Sequence, residues 1–402
     1  MAGLTRKQLG NLFRPTGPKV VAIGLSPVGG SAAGLGGSNN LSQFLDLSLP
    51  LQGLRFVVKG RCTVGAAAMA SVTPEGFLNV LSNITLQGTN SRQKGNVVLY
   101  NIDLATLWMI QNLFGERTAQ YDISIGGAAA TEVADPTMPL PAGYNPTGGA
   151  ATTYDFRIVV DLPLYPFGAM PGVRPQFLMR NEEWMDSIQL SVQWGTQIGG
   201  AVAGILGTGA AGTTIAWAGY GGVGALPALD IYSLPMIMGL DIKDSVVPGF
   251  CTRVAQPINL VLQAAGNQVT LFNMQKLPTT RIFTKFGVSV VPNGNPAFST
   301  LTEVNVTAMG ITLGGNRQVR NLVDVFAHKN DAVDIYDRGP IQGYNLFDFI
   351  GSGNPDSAYP GDKVPSGSTF QLVANVAGVV NAYGIIVQEQ VLYTAEGALY
   401  SF

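Results

Sequence analysis

The chain has one histidine, His328, so acid–base chemistry near neutral pH would be expected to centre on it. His328 is followed by Lys329 and Asn330. A catalytic triad needs a histidine between a nucleophile and an acid, and the residues around His328 specify neither partner. We therefore interpret His328 as a structural or surface residue, and the sequence does not favour an enzyme.

Metal binding has two sets of candidate residues, and each set has a simpler interpretation. Asp331, Asp334 and Asp337 recur at every third position, but this spacing is also typical of a solvated helix face. The only cysteines, Cys62 and Cys251, form no CxxC pair, which excludes a disulfide-stapled scaffold and gives no zinc motif. We predict no catalytic residue, no metal site and no cofactor.

Two glycine-rich segments match the GxGxxG pattern of nucleotide-binding loops: GTGAAG from Gly207 and GYGGVG from Gly219. A phosphate cradle needs this turn between a strand and the N-terminus of a helix. Both segments lie in sequence that is saturated with glycine, where the pattern arises from composition alone. We therefore interpret both as loop sequence.

Glycosidases usually pair two carboxylates among aromatic residues. The only adjacent acids are Glu182 and Glu183, which precede Trp184. These residues have the pattern of an ordinary helix start, so they do not predict a hydrolytic site.

The composition indicates a covered surface. Only 12% of the 402 residues are charged, whereas the chain has 51 glycines and 24 prolines. A soluble domain usually has about 25% charged residues. Lipid, sister subunits or both could cover the surface that lacks charge.

The N-terminal segment is basic although the whole chain has a net charge of −2. Arg6, Lys7, Arg14 and Lys19 precede the first acidic residue, Asp46. The following sequence fits a signal peptide poorly, so we expect residues 1–40 to remain as an arm. Four unopposed positive charges could dock on lipid headgroups or on a neighbouring subunit, or could belong to a solvated terminus. The sequence gives no reason to expect specific nucleic-acid binding.

A long stretch without charge, residues 187–229, raises the question of a membrane span. Its centre, Ile198–Ala218, is rich in Gly and Thr and poor in Leu, Ile and Phe, so it has low helix propensity. We predict a long loop. An outer-membrane-type β-barrel or pore remains a minor alternative because the chain ends in an aromatic residue, Phe402.

Short β-rich runs closed by Gly, Pro or Asn recur along the chain and predict an all-β sandwich or barrel class. Two segments have helical spacing of apolar residues, Ile102–Phe114 and Val319–Tyr336. The predicted strands are Phe44–Leu49, Leu54–Val64, Leu78–Leu86, Tyr154–Leu162, Ile188–Trp194, Ala228–Ile242, Arg281–Val291, Thr302–Leu313, Phe370–Val376 and Tyr383–Tyr393.

An internal repeat connects these elements. Arg55 and Lys59 match Arg281 and Lys285 at a separation of 226 residues. ITLQG from Ile84 resembles ITLGG from Ile311, a predicted helix follows in each half, and FRIVVD from Phe156 resembles FQLVAN from Phe370. The shared order predicts two tandem β-sandwiches, each with an inserted helix. We assign 1–40 to a basic arm, 41–243 to the first sandwich, 244–255 to a linker and 256–402 to the second sandwich.

This plan resembles the double jelly-roll major capsid proteins of tailless, membrane-containing icosahedral phages and their adenovirus-like relatives. The resemblance implies two jelly rolls that stand side by side and a homotrimer with six-fold pseudo-symmetry. It also implies self-assembly into an icosahedral virion, with neighbouring capsomers and minor or vertex proteins as partners and assembly in the host cytoplasm. Arg6, Lys7, Arg14 and Lys19 would dock on neighbours or on an internal membrane. The alternatives that stay open are the barrel or pore and a carbohydrate-binding jelly-roll protein.

Overall fold

The structure is a computed structural model of the whole chain. It describes residues 13–15, 19–21, 40–48, 51–65, 69–72, 76–90, 95–113, 120–125, 152–167, 186–195, 203–204, 207–209, 214–238, 249–259, 266–273, 279–289, 298–300, 306–313, 317–324, 344–349, 370–376, 382–395 and 398–399. These residues are almost entirely β-structure, as the sequence predicts.

The first half of the chain contributes fourteen strands and the one α-helix found among the described residues. Two short 3₁₀ helices, Gly76–Val80 and Tyr220–Gly222, lie between strands. The elements are β1 (Phe13–Pro15), β2 (Lys19–Val21), β3 (Asn40–Phe44), β4 (Leu51–Gly65), β5 (Met69–Val72), β6 (Leu81–Asn90), β7 (Gly95–Ile102), α1 (Leu104–Leu113), β8 (Gln120–Ile125), β9 (Thr152–Pro163), β10 (Ser187–Trp194), β11 (Ala203–Gly204), β12 (Gly207–Gly209), β13 (Thr214–Ala218) and β14 (Ala228–Met238).

The second half contributes the remaining described strands. They are β15 (Gly249–Asn259), β16 (Gly266–Asn273), β17 (Thr279–Ser289), β18 (Phe298–Thr300), β19 (Val306–Leu313), β20 (Arg317–Asp324), β21 (Tyr344–Asp348), β22 (Phe370–Val376), β23 (Ala382–Ala395) and β24 (Ala398–Leu399).

Alternation of side chains explains the long central strand β4. Phe56 and Val58 are buried, whereas Arg55, Val57 and Lys59 between them are half-buried. Successive side chains of a strand point to opposite faces of the sheet, so one face of β4 lies on the core and the other lies outside.

Two sheets enclose the core of the first half. A seven-stranded sheet has the order β1-β14-β4-β9-β8, with β2 also paired to β14 and β13 also paired to β4. The opposing strands follow the order β3-β10-β6-β7. Between the sheets Phe77 stacks on Phe156 with ring centroids 4.5 Å apart, and Trp217 meets Phe156 edge-on. Strands β11, β12 and β5 form a small separate sheet.

The second half is joined to the first by a continuous ten-stranded sheet. Strand β15 pairs in parallel with β7, so that Arg253 lies opposite Tyr100 and Val254 lies opposite Asn101. From β15 the order continues as β23-β17-β18, with β21 also paired to β17 and β24 to β23. The other strands of the second half form a four-stranded sheet, β16-β22-β19-β20.

The two halves repeat one topology. The row β14-β4-β9 with β1 and β2 at its edge corresponds to β23-β17-β21 with β15 at its edge. The row β3-β10-β6-β7 corresponds to β16-β22-β19-β20, and the chain visits equivalent strands in the same order. This is the two-sheet, eight-strand arrangement of a jelly roll, so the predicted tandem sandwiches are confirmed.

The predicted helices have different outcomes. Helix α1 falls within the predicted segment Ile102–Phe114. In the second copy β20 is the equivalent of β7, so the predicted helix Val319–Tyr336 is wrong for Val319–Asp324, and residues 325–336 lie outside the described residues. A short apolar run fits a strand as well as a helix, so periodicity alone could not separate them.

Some repeat and boundary assignments also need correction. FRIVVD lies in β9 and FQLVAN in β22, but the topological partner of β9 is β21, so this match is wrong. The predicted strand Phe44–Leu49 is wrong for residues 45–48, because β3 ends at Phe44, and Leu49 lies outside the described residues. The segment assigned to the linker 244–255 belongs to β15 from Gly249 onward. The predicted loop within 187–229 contains β11, β12 and β13.

The aromatic core should dominate the stability of the first sandwich. We expect Phe77→Ala to lower the free energy of unfolding by about 3–5 kcal/mol, because it removes a buried ring and leaves a cavity. Val223→Ala, at a side chain that is 81% exposed, should change it by less than about 0.5 kcal/mol. Urea unfolding followed by tryptophan fluorescence measures both, and equal effects would contradict this description of the core.

Candidate functional site: the junction between the two sandwiches

A row of four charged side chains crosses the second sandwich where it meets the first. Arg253 on β15 lies opposite Glu389 on β23, which lies opposite Arg281 on β17, which lies opposite Asp348 on β21. The side chains of Arg253, Glu389 and Arg281 are 0% exposed and that of Asp348 is 2% exposed. The charges alternate in sign along the row, which is how charges can be buried together.

Glu389 is the centre of this row because both of its carboxylate oxygens are engaged. Oε2 accepts from Arg253 Nε at 2.6 Å, and Oε1 accepts from Arg281 Nη1 at 3.0 Å. Thr280 Oγ1 also donates to Oε1 at 2.6 Å, and Arg281 Nε reaches Asp348 Oδ2 at 3.3 Å. Charge-assisted hydrogen bonds of this kind are stronger than neutral ones.

The row binds backbone of the first sandwich, in the segment that follows β9. Arg253 donates from Nη1 to the carbonyl of Pro163 at 2.9 Å and from Nη2 to that of Tyr165 at 2.7 Å. Its guanidinium lies 3.8 Å from the ring centroid of Phe167. A buried carbonyl without a hydrogen-bond partner costs free energy, so these bonds stabilise the segment at the point where it leaves the sheet.

Phe167 is held from the second sandwich by its backbone as well as by its ring. Its carbonyl accepts from Arg281 Nη1, and its N–H donates to Glu389 Oε2 at 3.3 Å. Tyr100 on β7 completes the contact, since its hydroxyl donates to the Pro163 carbonyl and accepts from Arg253 Nη1. Burial raises the pKa of Tyr100, so the hydroxyl keeps its proton.

A second contact joins β17 to the start of α1. Lys285 Nζ lies 3.3 Å from Asp103 Oδ2, and the same oxygen accepts from the N–H of Thr106 at 3.0 Å. Asp103 is therefore the N-cap of α1 and a partner of the second sandwich. Apolar side chains of the second half also join the core of the first: Phe283, Tyr344, Leu346 and Val387.

The pKa of Glu389 reports the balance of charge at the junction. Burial alone would raise the pKa, but Arg253 and Arg281 and the hydrogen bonds from Thr280 and Arg253 outweigh it and hold the pKa below the usual range for glutamate. Glu389 is therefore ionised in the folded protein at neutral pH.

The first sandwich carries a related ion pair at the equivalent position. Arg55 on β4 lies opposite Asp161 on β9, and the two form a bidentate pair at 2.7 and 3.0 Å. Arg55 and Asp161 correspond to Arg281 and Asp348 by topology. The Arg55 side chain is 32% exposed, whereas that of Arg281 is fully buried.

Two of the four predicted arm residues lie in strands. Arg14 is in β1 and Lys19 is in β2, and both strands pair with β14 at the edge of the first sandwich. Residues 13–15 and 19–21 are therefore part of the sandwich sheet, although they fall inside the predicted arm 1–40. Arg6 and Lys7 lie outside the described residues.

The GYGGVG segment is a turn between β13 and β14. Gly221 has φ 67°, and its N–H donates to Asp155 Oδ1 at 3.0 Å. Arg61 holds Asp155 through a bidentate pair at 2.8 and 2.6 Å and lowers the pKa of that carboxyl. A β-carbon on Gly219 would lie 1.8 Å from the carbonyl oxygen of Val223, so the turn itself requires glycine there. The GTGAAG segment begins with β12, in the small sheet.

The other sequence candidates add no reactive group to the junction. Cys62 and Cys251 are free and buried, and burial raises the pKa of both thiols. His328 and the triplet Asp331, Asp334 and Asp337 lie outside the described residues. Among the residues that are described, no group of three or more His, Cys, Asp or Glu could hold a metal ion. No helix in the same set is long and apolar enough to cross a membrane.

Arg253 and Glu389 were not found by sequence reasoning, because 136 residues separate the partners. The only residue of the row that the sequence singled out was Arg281, because the internal repeat matches it with Arg55.

The fold is similar to that of several viral capsid proteins. A capsid model of PBCV-1 matches with a TM-score of 0.54 at 11% identity, over 97% of this chain and 96% of that chain. The Faustovirus major capsid protein matches with a TM-score of 0.54 at 9% identity, over 95% and 90%. The STIV major capsid protein matches with a TM-score of 0.52 at 10% identity, over 94% and 96%. The chain has the double jelly-roll fold of these proteins. No protein-family model and no curated protein matches the sequence.

The equivalent arginines give a matched test of the junction. We expect Arg281→Met to lower the free energy of unfolding by about 3–5 kcal/mol, because it removes the buried guanidinium that pairs with both Asp348 and Glu389. Arg55→Met removes a pair whose arginine is 32% exposed, and it should cost less, about 1 kcal/mol. Urea unfolding of both variants measures the difference, and similar losses would contradict a structural role for the buried row.

Glu389 should make stability depend on pH in acid. Its folded pKa lies below its unfolded value, so its contribution is complete above about pH 4.3 and is lost as pH falls through the folded pKa. Glu389→Gln should be less stable at neutral pH and should lose less stability than the wild type on acidification. Urea midpoints at a series of pH values from 6 downward test this, and parallel profiles for the two proteins would contradict it.

Proposed function

We propose that this chain is a major capsid protein, a structural subunit that builds an icosahedral viral shell by self-assembly. The observation that carries the proposal is the double jelly-roll arrangement along nearly the whole chain, which viral major capsid proteins share. In this role the protein acts through its surfaces, and it has no catalytic turnover.

The repeat explains how such a subunit would tile a shell. Three chains, each with two similar sandwiches, supply six similar wedges, so a homotrimer can occupy a six-fold lattice position. The buried row of Arg253, Glu389, Arg281 and Asp348 supports this, because it holds the two wedges of one chain in one orientation. A lattice built from such trimers needs that orientation to be the same in every copy.

The partners of the chain follow from this role. Sister chains, neighbouring capsomers and minor or vertex proteins would cover the charge-poor surface in the virion. Subunits would assemble in the host cytoplasm. Arg6, Lys7, Arg14 and Lys19 would dock on a neighbour or on an internal lipid membrane, and no specific nucleic-acid contact is proposed.

Size-exclusion chromatography with light scattering tests the assembly unit. We expect a detergent-free trimer of about three times the chain mass of 42.2 kDa, and shells or sheets of capsomers by electron microscopy at high concentration. A stable monomer, or a protein that is soluble only in detergent, would overturn the proposal.

Removal of residues 1–12 tests the docking role of the arm. This deletion removes Arg6 and Lys7 but leaves β1 and β2, so the first sandwich should stay folded. We expect trimers to form and shells to fail. Intact shells from the truncated chain would show that Arg6 and Lys7 are not needed for assembly.

A further inference from the structure

The two outer faces of the first sandwich differ in charge. The outer face of the sheet that contains β4 carries the ion pairs of Arg55, Lys59 and Arg61. On the opposite sheet the alternate, outward positions of β10 within residues 187–193 are all Ser or Gln, and those of β6 within residues 85–89 are Thr or Gln. None of the described side chains that point outward from β3, β10, β6 and β7 is charged. We call this surface the uncharged face.

The register aligns the side chains of the uncharged face in rows across the four strands. Gln189 lies opposite Phe44 on one side and Gln87 on the other, and Gln87 lies opposite Val98. Leu190, the next residue on β10, is buried in the core, so the row lies on the outside of the sheet. Neighbouring strands are about 4.8 Å apart, so the row is about 14 Å long.

The row combines hydrogen-bonding groups with an exposed aromatic ring. Phe44 is 64% exposed and Val98 is 37% exposed. Gln189 donates from Nε2 to Ser42 Oγ at 2.5 Å, whereas the side chain of Gln87 has no hydrogen bond within the described part of the chain. Each amide therefore keeps both donor and acceptor capacity for a ligand.

The equivalent strands of the second copy have the same chemistry. The row Asn273, Gln371 and Thr312 crosses β16, β22 and β19. The repeated ITL sequence aligns Thr312 with Thr85, and Thr85 lies opposite Ser191 on β10. Gln371 therefore occupies the position that Ser191 occupies in the first copy. The residue types differ between the copies, but both rows are polar and uncharged.

This chemistry selects a class of ligand. Nucleic acid needs Lys or Arg for its phosphates, and a membrane surface needs basic residues together with a continuous apolar surface. The cores of protein interfaces are rich in Tyr, Trp, Phe, Met and Arg and poor in Ser. Hydroxyl and amide side chains instead offer donors and acceptors without charge, which complements a ligand that is itself covered with neutral hydroxyl groups.

From these observations we propose that the uncharged face is a binding site for neutral polysaccharide. Sugar hydroxyl groups exchange hydrogen bonds with Gln189, Gln87 and the Ser and Thr side chains beside them, and the apolar C–H face of a sugar ring stacks on Phe44. The sheet holds these groups in fixed positions, which lowers the entropy cost of binding. The site goes beyond the proposed function, because a single chain carries all of it.

Saturation-transfer difference NMR on the full chain tests the site with four hexasaccharides. Cellohexaose, mannohexaose and N-acetylchitohexaose are neutral, and hexagalacturonate is the anionic control. We expect saturation transfer to at least one neutral hexamer and none to hexagalacturonate. The signal should be nearly the same at about 50 and 500 mM NaCl, because no ion pair forms. Transfer to none of the neutral hexamers, or equal transfer to hexagalacturonate, would overturn the proposal.

A pair of substitutions locates the binding. Phe44→Ala with Gln189→Ala should weaken binding of the neutral hexamer about tenfold or more, because it removes the stacking ring and one amide of the row. Val57→Ala with Val159→Ala is the matched control on the outer face of the other sheet, and it should bind as the wild type does. Thermal melting checks that both variants are folded. Unchanged binding by the Phe44 and Gln189 variant, or an equal loss in the control, would contradict the assigned site.

The oligomeric state separates this site from the proposed function. Trimers that bind none of the neutral hexamers would overturn the site and leave the proposed function standing. A monomer that binds a neutral hexamer would support the site and overturn the proposed function. If Phe44→Ala with Gln189→Ala abolishes the trimer and leaves hexamer binding unchanged, the uncharged face is a contact between copies and the proposal is wrong.

Discussion

The structure depends on burying charges between two sandwiches without leaving any of the central ones unpaired. Arg253 and Arg281 share Glu389, and both arginines bind carbonyls of the segment that follows β9. A buried ion pair contributes little net stability relative to an apolar pair, but breaking one is costly. We therefore expect its main effect to be on specificity, because the observed orientation of the two sandwiches brings Arg253 and Arg281 to the carbonyls of Pro163, Tyr165 and Phe167.

The two copies of the duplicated domain differ in how far their charged pairs are buried. Equivalent Arg–Asp pairs lie on β4 and β9 and on β17 and β21, yet only the second pair is enclosed by protein within the chain. Arg253 and Glu389 occur in the second copy alone; the register places Val20 and Tyr232 at the corresponding positions of the first. A duplicated domain thus has one face specialised for its own chain and one equivalent face that remains open.

Much of the fold could be predicted from the sequence because β-rich runs and turn residues are local signals. Strand β22 was predicted with its observed bounds, and the Arg55 and Arg281 match identified equivalent strands. The second predicted helix failed because its first residues, in β20, fit both periodicities. The junction could not be predicted from the sequence, because Arg253, Glu389 and the Pro163 carbonyl are far apart along the chain and meet only in the tertiary structure. The first strands of the sandwich were missed because β1 and β2 have three residues each.

Native-state hydrogen exchange measures most directly whether the buried row makes the two sandwiches one unit. The account predicts that the slowest amides of β4 and β9 and those of β17 and β23 exchange with the same free energy of opening, and that both fall together as denaturant is added. Exchange of β17 and β23 through a separate opening of much lower free energy, with β4 and β9 still protected, would contradict it.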